Sequence, residues 1–229
     1  MTRTRQLLAL LFLFFCANDL FCQNFFQKTY NLDFKDEGRG LEVMPNGDIV
    51  TVGATGDAGA EKVWVQRLDS QGEVLWSKTF EETDNVIARD VQRMTDGNLL
   101  VAYNIGLFGK GKWMKIFENG DLLWAKTSSG NIVLDKILPI SGGGYLLTGY
   151  DEPSSFTHAM ALKINEDGDV LWGRSFGDAG DDAIKNCWED EQGFIYCAGY
   201  SGDISLGQDG LLTKLTPTGD VLWTRRYGT

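Results

Sequence analysis

Four stretches of this chain carry a turn of the form Asp/Asn-x-x-Gly, or a close relative, that runs into an apolar strand ending in tryptophan. They are Leu68-Asp69-Ser70-Gln71-Gly72-Glu73-Val74-Leu75-Trp76, Phe117-Glu118-Asn119-Gly120-Asp121-Leu122-Leu123-Trp124, Ile164-Asn165-Glu166-Asp167-Gly168-Asp169-Val170-Leu171-Trp172 and Leu215-Thr216-Pro217-Thr218-Gly219-Asp220-Val221-Leu222-Trp223. Their tryptophans stand 48, 48 and 51 residues apart. A period of that size marks one supersecondary unit stacked many times, because a lone unit cannot bury its own apolar face.

Aligned on the tryptophans, each repeat reads as four short strands. In the first copy, Gly40–Met44 leads to a turn at Pro45-Asn46-Gly47-Asp48, followed by Ile49–Gly53, then Val63–Leu68 and finally Val74–Phe80. Apolar residues alternate within these runs and Gly, Asn and Asp punctuate them, which is the signature of hairpins. Four antiparallel strands in about 49 residues are expected to form a β-propeller blade, a flat β-solenoid being the rival with shorter coils. The expected fold is therefore all-β, with blades near residues 31–80, 81–127, 128–176 and 177–227. One strand is surplus. Phe26-Gln27-Lys28-Thr29-Tyr30 matches Trp76-Ser77-Lys78-Thr79-Phe80, so a fifth outer strand precedes four complete sets. Its three companions do not occur, which predicts an open arc belonging to a longer propeller.

Residues 1–22 read as a secretory signal peptide, with Arg3 and Arg5 before the apolar core Leu7–Phe15 and a polar break at Asn18-Asp19. That core is too short to span a bilayer, and no later stretch is apolar enough to do so. Cys16 and Cys22 raise a lipoprotein reading, which Phe15 and Phe21 oppose by standing where a lipobox wants small residues. The expectation is a secreted or surface-displayed chain. Net charge is −11, and removing the leader with its two arginines and one aspartate makes it −12. Such an acidic balance disfavours nucleic acid and anionic membranes as partners.

The repeat resembles that of the secreted β-propeller proteins common in Bacteroidetes, through Phe176-Gly177-Asp178-Ala179-Gly180-Asp181-Asp182 and Trp223-Thr224-Arg225-Arg226-Tyr227-Gly228. It is also similar to the tryptophan-docking repeat of quinoprotein (PQQ-type) propellers, through Leu68-Asp69, Gly72 and Trp76. The resemblance covers nearly all of residues 24–229 and implies a propeller fold. Longer members of the secreted group often carry a C-terminal sorting domain.

Trp76, Trp124, Trp172 and Trp223 offer either a sugar-stacking surface or inter-blade packing. Occurrence in every repeat favours packing, with the indole N–H bonded to a turn backbone. Lys78, Lys126, Arg174 and Arg225 follow two positions later, on the same face, suited to pair with acidic neighbours. Cys187 and Cys197 flank the Asp190-Glu191-Gln192-Gly193 turn where the second repeat has Val91 and Val101. Export permits a disulfide between them, and two buried thiols filling valine sites remain the alternative. His158 is the only histidine, and no nucleophile motif accompanies it. The acidic groups Asp33/Asp36/Glu37, Glu81/Glu82/Asp84 and Asp178/Asp181/Asp182 fit no defined calcium loop and read as a solvated rim. No catalytic, metal or cofactor-binding residues are assigned.

The variable loops Ala54–Glu61, Asn104–Lys112, Asp151–His158 and Ser201–Asp209 are the expected binding elements, since recognition residues tend to sit on loops carried by a rigid scaffold. The expected function is an exported, non-enzymatic binding or scaffolding module for a protein or glycan, needing no cofactor. Part of a PQQ-type dehydrogenase or a propeller hydrolase is the alternative.

Overall fold

The structure, a computed structural model, describes residues 27–33, 35–106, 109–152, 156–177, 180–202 and 207–228. The leader, Cys16, Cys22, Phe26 and Asp178 lie outside the described residues. None of the described residues is helical, and sixteen strands form four separate antiparallel sheets of four.

The first blade is β1 (Lys35–Val43), β2 (Ile49–Gly56), β3 (Lys62–Leu68) and β4 (Val74–Phe80). The second is β5 (Val86–Arg93), β6 (Leu99–Ile105), β7 (Lys110–Ile116) and β8 (Leu122–Thr127). In the third come β9 (Ile132–Pro139), β10 (Tyr145–Asp151), β11 (His158–Ile164) and β12 (Val170–Phe176). The fourth holds β13 (Asp182–Glu189), β14 (Ile195–Ser201), β15 (Asp209–Leu215) and β16 (Val221–Tyr227). Each blade is a simple meander, and the chain is a β-propeller segment.

Hairpin turns fix the registers. In the first blade Gly47 adopts φ +86° and donates to the Met44 carbonyl at 2.8 Å, while the Asp48 N–H donates to the Asn46 side chain at 3.1 Å. Between β3 and β4, the Asp69 carboxylate accepts from the N–H groups of Gln71 and Glu73, both at 2.8 Å. Side chains that close their own turn in this way explain why Asx and Gly recur at these positions.

Burial follows the position of each strand in its blade. In the second blade, which has a neighbour on each side, the central strands are buried on both faces, as in β6 from Leu99 to Asn104. Outer strands such as β4 and β12 alternate between exposed and half-buried residues. Three apolar clusters fill the junctions. Val52, Val65, Val91 and Val101 lie in the first, Leu100, Trp113, Ile137 and Leu147 in the second, and Leu146, Ala161, Ile184 and Leu211 in the third.

The innermost strands pack in series, β1 on β5, β5 on β9 and β9 on β13, and among the described residues no comparable packing joins β13 to β1. The arc is open. Val91 and Ile137 are each 1% exposed because a preceding blade covers them, whereas Leu41, at the same position in β1, is 62% exposed. Gln27–Tyr30 forms no sheet ladder among the described residues. Two of its side chains nevertheless reach the β3–β4 turn of the first blade. The Lys28 ammonium meets the Glu73 carboxylate at 2.5 Å, and the Tyr30 hydroxyl donates to the Gly72 carbonyl at 2.8 Å.

Candidate functional site

Each innermost strand carries one residue more than its partner, at the same place in every blade. Pairing passes from Gly38–Gly53 to Gly40–Val52, leaving Arg39 without a partner in the ladder. It passes from Ala88–Tyr103 to Asp90–Ala102 around Arg89, from Leu134–Gly149 to Lys136–Thr148 around Asp135, and from Ile184–Gly199 to Asn186–Ala198 around Lys185. A β-bulge bends its strand and re-aims the extra side chain, and bulges concentrate near functional sites. Because these are the inner strands, the four side chains are Arg39, Arg89, Asp135 and Lys185, all on the axial side of the arc.

The bulges explain a glycine on the adjoining strand. A Cβ on Gly53, Gly149 or Gly199 would fall 1.7, 1.9 or 1.8 Å from the main-chain oxygen of Glu37, Val133 or Ala183. Only glycine permits that approach. The second blade instead has Tyr103, whose hydroxyl donates to Glu82 at 2.6 Å beside the Lys112 ammonium.

Three of the four axial side chains converge. Asp135, its side chain only 9% exposed, meets the Lys185 ammonium at 2.7 Å and the Arg89 guanidinium at 3.6 Å. Arg89 Nε is buried with no hydrogen-bond partner among the described residues. The Lys185 ammonium also lies 5.9 Å from the Tyr150 ring centre and 5.4 Å from that of Tyr200, within cation–π range of both. Burial, followed by the charge of Asp135, pushes the pKa of both phenols upward. They therefore stay protonated at neutral pH and serve as hydroxyl donors. Arg39 stands apart, paired with Glu37 of its own strand at 2.8 Å.

A polar clamp holds this cluster. The Asn104 amide donates to the Leu134 carbonyl and accepts from the Leu134 N–H, both at 2.8 Å, which fixes β9 immediately before Asp135. Asp90, fully inside the fold, accepts from the Ile137 N–H and from the Lys136 ammonium, each at 2.9 Å. Buried polar groups satisfied this way specify one arrangement of neighbouring strands. Neither the cluster nor the clamp was singled out by motif. The available signal was phase: Ala88 to Val91, Leu134 to Ile137 and Ile184 to Cys187 are three residues apart where regular alternation requires two.

The tryptophans lie elsewhere, at the blade junctions. Trp76 donates its indole N–H to the Glu118 carbonyl at 3.1 Å. The turn glycines Gly120, Gly168 and Gly219 lie against the rings of Trp76, Trp124 and Trp172 respectively, so close that a Cβ would strike them. Beside these rings Lys78 pairs with Asp121 at 3.0 Å, Lys126 with Asp169 at 2.5 Å and Arg174 with Asp220 at 3.5 Å. Trp223 stacks beneath Arg225 and meets Tyr196 edge-on at 6.4 Å. Cys187 and Cys197 oppose each other directly, with Cα atoms 4.2 Å apart, and are joined by a disulfide.

His158 begins β11 and lies 3.7 Å from Asp151. Several residues of the acidic groups bind the fold's own donors. Asp36 accepts from Thr55 and the Leu32 N–H, Glu82 from Tyr103 and Lys112, and Asp181 from the Thr157 N–H. A freely solvated rim therefore describes them incompletely, because loop backbones and buried hydroxyls need those acceptors. The described parts of the four loops that join second to third strands flank the same end of the arc, and residues 107–108, 153–155 and 203–206 lie outside the described residues.

No family model matches the chain, and no curated protein matches it in sequence. Solved structures do. A protein of unknown function from Bacteroides caccae superposes with a TM-score of 0.57 at 16% identity, over 86% of this chain and 69% of its own. An ACO/RPE65 chimera gives 0.51 at 10% identity, over 85% of this chain, which spans 51% of the chimera. At these identities the likeness is one of fold alone.

Proposed function

We propose that the chain is an exported, non-enzymatic binding module that takes a small oxyanion-bearing molecule, a carboxylate or phosphate, at the axial cluster. One observation carries the reading. Bulges at one position of successive inner strands bring Arg89, Asp135 and Lys185 together, with an Arg89 donor left over. Two cations share one carboxylate, so an incoming oxyanion finds local positive charge inside an otherwise acidic protein. Guanidinium favours planar oxyanions, and the protonated hydroxyls of Tyr150 and Tyr200 supply further donors. The rim loops set access and specificity, as loops on rigid scaffolds do.

Calorimetric titration of the folded chain with galacturonate, glucose 6-phosphate and neutral galactose tests the proposal. Binding of either anion, weakened about tenfold or more by Arg89→Ala, is the expected result for a charge-assisted contact. Asp135→Asn releases both cations and should tighten binding. Equal affinity for the neutral sugar, or indifference to both substitutions, contradicts the assignment.

A further inference from the structure

We infer that the outward face of the fourth blade is a docking surface for one further four-stranded repeat of this kind, which presents the Gly-Asp or Gly-Glu step of its last turn to Trp223 and Arg225. Every junction in the arc is made the same way. A tryptophan ring receives the glycine of the next blade's turn, and the basic residue two positions later pairs with the acid after that glycine. Trp76/Lys78 meet Gly120/Asp121, Trp124/Lys126 meet Gly168/Asp169, and Trp172/Arg174 meet Gly219/Asp220.

Trp223 and Arg225 are assembled in the same way. Arg225 lies 5.6 Å over the Trp223 ring, matching the 5.6 Å of Arg174 over Trp172. The sheet beside them follows suit. Tyr196, Ala198 and Leu212 hold the positions of Val50, Val52 and Val65 in the first blade and of Leu100, Ala102 and Trp113 in the second, all of which are buried. On the fourth blade Ala198 is exposed, Tyr196 and Leu212 are half-buried, and neighbouring Trp188 is 61% exposed. Continuity with three interfaces built on the same tryptophan–glycine and cation–aspartate pairs therefore defines the occupant.

A second copy of the chain does not meet the same requirement. The corresponding turn of its first blade already gives the Gly72 carbonyl to Tyr30 and the Glu73 carboxylate to Lys28. Blade-to-blade association in repeat folds depends on such nearest-neighbour contacts.

Three extended chains test the inference, each with a copy of residues 81–128, 129–176 or 177–227 inserted after Tyr227. Hydrogen exchange is followed at the Trp223 indole and along β14 and β16. In at least one extended chain exchange should slow about tenfold or more, as for amides moved from an open face into a closed unit. Arg225→Glu should reverse that protection in the extended chain and leave the parent unchanged. The inference is overturned if all three added repeats leave exchange unchanged, or if all three are removed by limited proteolysis as unfolded tails. Concentration-dependent self-association of the parent, with protection of Trp223, would overturn it in favour of a second copy.

Discussion

The repeat holds two sets of side chains at fixed blade positions, one at the junctions and one along the axis, and they differ in chemistry. At the junctions the same pieces recur: tryptophan against glycine, lysine or arginine against aspartate. At the axial bulges the position recurs but the residues become Arg39, Arg89, Asp135 and Lys185. A contact that holds one blade on the next meets identical surroundings each time, so one solution serves throughout. A ligand at the axis, as proposed, would meet every blade from a different side, which matches the divergence of these residues. Constant residues in this fold mark assembly, whereas the proposed site draws on varied residues at a constant backbone irregularity.

The largest effect should come from breaking a closed junction. Trp124→Ala removes the half-buried ring that seats Gly168 and should cost about 3 kcal/mol in urea unfolding, the lower end of the range for aromatic truncations. Trp223→Ala, at the open face, should cost less than about 1 kcal/mol. Equal costs would mean that docking adds nothing to these tryptophans.

Reducing the Cys187–Cys197 bond should cost about 2–3 kcal/mol for a loop of this length. The double substitution to valine should recover part of that loss, since Val91 and Val101 fill the same sites in the second blade.

Alkali should act on the interior next. Burial, then the charge of Glu166, pushes the Tyr145 hydroxyl up to about 12, against the opposing bond from the Thr95 N–H. Stability from this group is complete below the unfolded value near 10 and is lost as pH rises from about 10 to 12. Tyr145→Phe should flatten that decline in a pH series of unfolding curves.

The smallest effect belongs to the exposed ion pairs of the junctions. Lys126→Glu should lower the urea unfolding midpoint only slightly, and added salt should erase much of the difference. Hydrogen bonds from Lys78 and Lys126 hold Asp121 and Asp169 below the usual carboxylate range. Their contribution is therefore present above about pH 4 and fades as pH falls through the lowered values.

The architecture was legible because it is written in repetition. Trp76, Trp124, Trp172 and Trp223 set the period, and Gly47, Gly72 and their counterparts marked the turns. The surplus outer strand expected at Phe26–Tyr30 forms no ladder over its described residues 27–30, although Lys28 and Tyr30 reach the first blade's last turn. The axial site was not legible from residue identity, because Arg39, Arg89, Asp135 and Lys185 share a backbone position and no motif. A bulge shows in sequence only as a slipped alternation, and one slip in a short strand is easily read as a polar residue on the solvent face. Asn104 was hidden for a related reason: its partner is the main chain of Leu134, 30 residues away.

The central claim separates the axis, which binds, from the junctions, which hold. Anion titration combined with urea unfolding of Arg89→Ala and Lys126→Glu tests it most directly. The account predicts that Arg89→Ala weakens galacturonate or glucose 6-phosphate binding about tenfold or more while the unfolding midpoint hardly moves. Lys126→Glu should shift the midpoint slightly and leave binding intact. Loss of binding in Lys126→Glu with retention in Arg89→Ala would contradict the account and move the site to the junctions.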